Sequence, residues 1–259
     1  MKIKKIILLV SIFCTVAFGD IITIVGDEWC PYNCKVTDKN QGYLVDIARV
    51  IFEKNGHTVK YTVSSSWNQA ILDTKNNKYN AIIGAYKSDA KDFIFPSLSQ
   101  GVSANAFFTK KKTQWKYTGV NSLHDITIGA IKSYSYGAVL DKYIQENKNN
   151  HNRVQLISGN RAIYHNAKKL LYDTIDVMIE DPYVLKYYFK EKNSHVPFKT
   201  VGTIDIDNIY IAFSPNNPHS KKYARILSQG INDLRKNGEL NKILSKYGLY
   251  DWIKLPYMH

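Results

Sequence analysis

Two kinds of hydrophobic pattern alternate along this chain, and the alternation is the strongest constraint on its fold. Short apolar runs at residues 21–26 (IITIVG) and 79–86 (YNAIIGAY) have the length and branched side chains of buried strands. Between them, residues 43–56 and 67–78 carry apolar side chains at helical spacing. Strands and helices that take turns in this way predict an α/β fold with parallel sheets covered by helices.

The alternation occurs in two series, which predicts two lobes. The second series comprises residues 126–131, 136–147, 153–157, 166–173, 174–180 and 181–192. Residues 103–112 leave the first series and residues 205–215 return to it, so we predict two crossover hinge strands. The helical segments 218–238 and 238–248 have no strands of their own, and we expect them to pack on lobe 1. Lobe 1 is therefore predicted at 20–108 and 210–259, and lobe 2 at 109–209, with a ligand cleft between them.

The N-terminus has the pattern of a secretory signal peptide. Lys2, Lys4 and Lys5 precede an apolar run, and small residues at 17 and 19 suit cleavage after Gly19. We predict a signal peptide at 1–19 and a periplasmic protein. A retained anchor and a lipoprotein acylated at Cys14 are the alternatives, although Phe13 is large for a lipoprotein signal. Cleavage removes three lysines and lowers the net charge from +13 to +10. The remaining lysines are dispersed, which favours a solvated basic face over nucleic-acid binding.

Two cysteines remain after cleavage, in the stretch GDEWCPYNC. An exported pair predicts a structural disulfide between Cys30 and Cys34 that shapes the loop carrying Trp29 and Tyr32. A zinc site needs two further ligands, so no metal is expected. The chain lacks the common nucleotide-binding and zinc-protease motifs, and SYSYG lacks the first glycine of a nucleophile elbow. We predict no cofactor and no enzyme activity, with acid–base chemistry at Glu180 and Asp181 as the alternative.

The order of segments resembles the family 3 extracellular solute-binding proteins, best known as polar amino-acid receptors of ABC importers. The segments are ITIVGDEWCPYN, GYLVDIARVIFEKNGHTVKYT, SWNQAILDTKNNKYNAIIGAYKSDAKDFIFPS, LHDITIGAIKSYSYG and KKLLYDTIDVMIEDPYV. The resemblance implies a two-lobed periplasmic-binding-protein-like fold of type II. It also implies a monomer that binds a small polar solute, an amino acid or a related amine or acid, and delivers it to an ABC permease. An exported dehydratase-like enzyme and a sensing module for a separate membrane partner remain alternatives.

The resemblance also assigns ligand-binding positions in both lobes. In lobe 1 they are Trp29, Tyr32, Trp67, Gly84, Ala85, Tyr86 and Lys87; in lobe 2 they are Ser133, Tyr134, Ser135, Tyr136 and Asp181, with Glu180 beside it. The tryptophans also suit a core, and Asp181 also suits a helix N-cap. One departure is clear: Lys87, Asp89 and Lys91 follow the third strand, where amino-acid receptors have a carboxylate-clamping arginine. The ligand is therefore left open between an α-amino acid and another polar or cationic molecule.

Overall fold

The structure is a computed structural model that describes residues 19–254. The predicted signal peptide, apart from Gly19, and the alternative acylation site at Cys14 lie outside the described residues. Among residues 19–254, no helix is both long and apolar enough to cross a membrane.

Strands and helices alternate as the sequence predicts. The strands are β1 (Ile21–Gly26), β2 (Thr58–Val63), β3 (Ala81–Ala85), β4 (Gly101–Lys110), β5 (Ile128–Ile131), β6 (Val154–Ile157), β7 (Val177–Glu180) and β8 (Phe198–Phe213). The helices are α1 (Tyr43–Lys54), α2 (Trp67–Lys75), α3 (Ala138–Asn147), α4 (Ala162–Leu171), α5 (Pro182–Lys190), α6 (Ser220–Lys236) and α7 (Glu239–Ser245). Short 3-10 turns cover Val120–Leu123 and Trp252–Lys254.

The strands form one sheet whose two halves are joined by the long strands β4 and β8. The order is β2-β1-β3-β8-β4-β7-β5-β6. Pairing is parallel within β2-β1-β3 and within β7-β5-β6, and antiparallel where β8 meets β3 and β4 and where β4 meets β7. These two strands occupy the segments predicted to cross between lobes. The residue boundaries proposed for the lobes remain a prediction.

Each half of the sheet has its own hydrophobic core. In the first half, Ile24 of β1 and Ile47 of α1 share a cluster with Leu227 of α6 and Leu240 of α7. The C-terminal helices therefore pack on the first half, as expected. Burying one such aliphatic side chain contributes about 1.5–3 kcal/mol. The second half buries β5 and β7 against α3 on one face and against α4 and α5 on the other.

The largest differences from the sequence prediction are at the starts of α4 and β8. Helix α4 begins at Ala162 rather than at residue 166, because Ala162, Asn166 and Leu170 form one buried stripe at helical spacing. Strand β8 begins at Phe198, seven residues before the predicted crossover segment that starts at residue 205. Its first half pairs with β4 and is half exposed, so it has no continuous apolar pattern.

Candidate functional site

A small cavity lies where the carboxyl ends of β1, β3, β5 and β7 meet. Its volume is about 20 Å³, enough for a water molecule. We call this space the cleft cavity; its lining residues are Asp27, Trp29, Trp67, Ile83, Gly84, Tyr86, Asp89, Asn105, Tyr134, Ser135 and Glu180. They come from both halves of the sheet, where open α/β sheets bind ligands.

A disulfide-bonded turn after β1 positions the aromatic side chain of Trp29 at the cavity. The predicted disulfide joins Cys30 to Cys34, with the two Cα atoms 4.7 Å apart. Across the same turn, the Trp29 N–H donates to the Asn33 carbonyl at 2.8 Å and the Asn33 N–H donates back at 3.1 Å. The rings of Trp29 and Tyr32 stack with centroids 4.1 Å apart. Trp29 lines the cavity, whereas Tyr32 is buried and supports it.

The end of β3 lies close to the Trp29 ring. Gly84 has a φ of +86°, and a Cβ atom there would lie 3.3 Å from Cε3 of Trp29. Glycine is therefore required by both the backbone conformation and the contact. Tyr86 lines the cavity, but Ala85 is buried in the adjoining core. The Lys87 ammonium lies 5.3 Å from the centre of the Tyr210 ring and outside the lining.

Trp67 is the first residue of α2 and serves two purposes. Ser66 caps the helix by accepting a hydrogen bond from the Gln69 N–H at 3.3 Å. The Trp67 ring packs in a core with Val25 and Phe93 and also lines the cavity. The structural and ligand-facing interpretations of this tryptophan are therefore compatible.

Three carboxyl groups face the cavity. Asp27 follows β1, and its Oδ2 accepts from the Tyr134 hydroxyl at 2.7 Å. Asp89 accepts from the Tyr86 N–H at 2.9 Å, and Glu180 is the last residue of β7. Burial raises the pKa of Asp27 to about 6 and that of Asp89 to about 7, because desolvation disfavours the charged form.

Glu180 is the most buried of the three, with 3% of its surface exposed. Its Oε1 accepts from the Asp181 N–H at 2.9 Å. Neither its Oε2 nor the indole Nε1 of Trp29 has a hydrogen-bond partner among the described residues. Burial raises the pKa of Glu180 to about 8, and the nearby Trp29 indole only partly opposes this shift.

Asp181 has a different environment from its neighbour. Its Oδ1 accepts from the N–H groups of Tyr183 and Val184 at the start of α5. Its Oδ2 accepts from the Tyr32 hydroxyl at 2.9 Å, the Ser103 hydroxyl at 2.7 Å and the Ala104 N–H at 3.2 Å. Five donors satisfy a carboxylate fully. Asp181 caps α5, links both halves of the molecule, and does not line the cavity.

The segment predicted to receive an anionic group already holds a carboxylate of the protein. The Ser135 hydroxyl and the Tyr136 N–H donate to the two oxygens of Asp141, at 2.8 and 2.7 Å. Tyr134 and Ser135 line the cavity. Ser133 is exposed, and the buried Tyr136 accepts from the Ile131 N–H through its hydroxyl.

A larger groove of about 810 Å³ lies elsewhere, between residues 28–38 and the helices α4 and α5. It shares no lining residue with the cleft cavity and carries charges of both signs. Within residues 19–254, the only cluster of potential metal ligands is Cys30, Cys34 and Asp38, and its two sulfurs are bonded to each other.

Sequence reasoning did not select Asp27, Ile83 or Asn105 as lining residues. Asp27 directly follows β1, so the rule that ligands sit beyond strand carboxyl ends would have found it. Asn105 lies where the β4–β8 register shifts between Ala104 and Ala106, an irregularity that no sequence pattern marks. Its neighbours on β4 are apolar.

Comparison with solved structures shows the same fold in several proteins. A histidine kinase sensor domain with similarity to periplasmic binding proteins has a TM-score of 0.73 at 18% identity, covering 90% of this chain and 99% of that one. A structure described for glutathione import via GshT and the cystine ABC importer TcyBC of Streptococcus mutans has a TM-score of 0.73 at 16% identity, covering 92% and 100%. A histidine-bound substrate-binding protein of an ABC uptake transporter from Streptococcus pneumoniae has a TM-score of 0.72 at 18% identity, covering 90% and 94%.

A search of curated proteins finds no match. The sequence profile of the bacterial extracellular solute-binding proteins, family 3, matches residues 21–250. This range contains every strand, every helix from α1 to α7 and the whole cleft cavity. The chain therefore belongs to the bacterial extracellular solute-binding proteins, family 3.

Proposed function

We propose that this protein captures a small polar solute in the cleft cavity and delivers it to an ABC permease in the inner membrane. The observation that carries the proposal is the cavity itself, which collects aromatic and carboxyl side chains from the strand ends of both halves. The two halves are joined through β4 and β8, so a hinge motion can open and close the site around a solute.

Binding alone accounts for these groups, and we propose no turnover. The protein acts as a periplasmic monomer after removal of residues 1–19. The family and the two importer proteins with the same fold support this role. In a test, the purified protein is screened by thermal shift against amino acids, amines, small carboxylates and short peptides. A specific solute raises the Tm in proportion to the logarithm of its concentration above Kd.

The solute identified in this way is then incubated with excess protein and recovered. Recovery of the unchanged compound is expected for a carrier, and a stoichiometric excess of product would instead indicate an enzyme. No Tm shift with any class of solute would contradict the proposed function.

A second function is favoured by one observation, the structural likeness to a histidine kinase sensor domain. In that case the loaded protein would report the solute to a separate membrane partner. Deleting the gene distinguishes the two functions. Loss of uptake of the radiolabelled solute supports delivery to a permease, whereas unchanged uptake with a lost transcriptional response supports sensing.

A further inference from the structure

We infer that the solute of the cleft cavity is an organic cation, a protonated amine, guanidinium or quaternary ammonium, that carries no carboxylate. The inference rests on the proposed function and specifies its ligand. It departs from an amino-acid ligand, whose α-carboxylate needs a cationic partner.

The charge of the lining is the first support. Apart from the tyrosines, the ionisable side chains that line the cavity are all carboxyls, namely Asp27, Asp89 and Glu180. Among residues 19–254, no lysine, arginine or histidine lines the cavity. The nearest candidate in sequence, Lys87, has its ammonium against the Tyr210 ring. An anionic group placed here would face three carboxyls in a desolvated space and raise their pKa values further. A cation would instead favour the charged form of each carboxyl and be attracted by it.

A buried acceptor without a partner is the second and independent support. Glu180 Oε2 is buried at the cavity wall and has no partner within hydrogen-bond distance among the described residues. The Trp29 indole, whose own N–H is unpaired, opposes the rise in the pKa of Glu180 only in part. Leaving such a group unpaired costs free energy, which natural structures rarely accept without a reason. A cationic N–H donor or an alkylammonium group in the cavity would pair with this oxygen and stabilise its charged form.

The aromatic side chains are the third support. Trp29, Trp67, Tyr86 and Tyr134 all line the cavity. Aromatic rings next to carboxyls form the usual environment for ammonium and guanidinium groups, because the ring faces attract cations.

The donors at the starts of α3 and α5 are already occupied. The donors at the start of α3, Ser135 Oγ and the Tyr136 N–H, are bound to Asp141. The N–H groups at the start of α5 are bound to Asp181. Both helix starts therefore hold carboxylates of the protein itself.

Matched pairs of probes test the inference by isothermal titration calorimetry. The pairs are agmatine and arginine, cadaverine and lysine, and choline and glycine betaine, which differ chiefly by a carboxylate. We expect at least one carboxylate-free cation to bind, and its partner to bind at least tenfold more weakly. Tighter binding of the carboxylate-bearing member in every pair that binds would overturn the inference.

Variants locate the binding to the cleft cavity. Glu180→Gln and Asp27→Asn are each expected to weaken binding of the cation at least fivefold, with an unchanged circular dichroism spectrum and no loss of thermal stability. Glu191→Gln is the matched control, because Glu191 is exposed and lines the larger groove instead. A loss of affinity in Glu191→Gln but not in Glu180→Gln would overturn the assignment to this cavity.

The outcomes separate this inference from the proposed function. If no cation binds but a neutral or anionic solute in the wider screen does, the inference fails and solute capture stands. If no solute of any class binds, both fail. If a cation binds and the Glu180 and Asp27 variants weaken its binding, both the inference and the proposed function are supported.

Discussion

At the scale of single residues, Glu180 and Asp181 show how adjacent carboxyls can have opposite environments. Asp181 accepts five hydrogen bonds, whereas one oxygen of Glu180 accepts none among the described residues. The alternation of side chains at the end of β7 separates them. Such a separation is typical of a protein that satisfies its structural charges and leaves a functional one for a ligand.

The unpaired carboxyl predicts that Glu180→Gln stabilises the ligand-free protein. In the folded protein the pKa of Glu180 is raised to about 8, whereas in the unfolded chain it is about 4.5. Between pH 4.5 and pH 8, the folded chain therefore keeps a proton on Glu180 that the unfolded chain has released. The contribution of Glu180 to stability therefore falls as the pH rises through this window. Relative to wild type, we expect Glu180→Gln to raise the free energy of unfolding by about 1–3 kcal/mol at pH 8 and by much less at pH 5.

Urea denaturation at the two pH values measures this difference, and comparing each variant with wild type cancels the titration of other groups. Glu191→Gln is the control and should show no such pH dependence, because its carboxyl is exposed. Equal effects of Glu180→Gln at pH 5 and pH 8 would contradict the environment described for Glu180.

The sequence indicated the general position of the site, but it did not show which of the two carboxyls lines the cavity. Asp181 precedes a proline at a helix start, so its capping role was readable from the chain. Which carboxyl faces the cavity depends on the position of Ser103 and Tyr32, which reach Asp181 from distant parts of the sequence. Local patterns contain no information on such contacts.

At the scale of elements, the helices and the buried strands were predicted because their hydrophobic periodicity is strong. The first half of β8 was not predicted because its periodicity is weak. The buried strands β1 and β3 are short apolar runs, so both were found. The first half of β8 is partly exposed and pairs only with β4, and its strand conformation depends on that partner. Propensity for such a strand is set by tertiary context more than by its own residues.

We expect the disulfide in the turn after β1 to have a mainly local effect. Replacing Cys30 and Cys34 together by serine frees a loop so short that the loss of stability should be about 2 kcal/mol or less. Trp29 would lose one of the constraints that hold it beside Gly84. We therefore expect the double replacement to reduce the free energy of solute binding by more than it reduces the free energy of unfolding. Calorimetric binding and thermal melting of the same preparations compare the two effects.

Thiol titration of the unreduced wild type provides the control and should find no free thiol from this pair. A double serine variant that retains full affinity for the solute would show that the backbone hydrogen bonds between Trp29 and Asn33 suffice to hold the turn.

At the scale of the whole molecule, a hydrogen bond between residues that line the cleft cavity links the two halves, in addition to the bond from Tyr32 to Asp181. Tyr134 follows β5, and its hydroxyl donates to Asp27, which follows β1, at 2.7 Å. Its ring packs against the cores of both halves. The cavity of about 20 Å³ is too small for an organic solute, so a ligand must separate these groups and take the place of the tyrosine hydroxyl on Asp27.

This link predicts that Tyr134→Phe shifts the ligand-free protein toward an open form. A hydrogen bond to a carboxylate contributes about 1.5–3 kcal/mol, enough to change an open-to-closed ratio by a factor of ten or more. Small-angle scattering should therefore show a larger radius of gyration for ligand-free Tyr134→Phe than for wild type, and the same compact value for both at saturating solute. Tyr143→Phe is the matched control, because the Tyr143 hydroxyl donates to the Leu123 carbonyl within the second half. If ligand-free Tyr134→Phe is as compact as wild type, the ring contacts rather than the hydroxyl hold the halves together, and the tyrosine does not compete with the solute for Asp27.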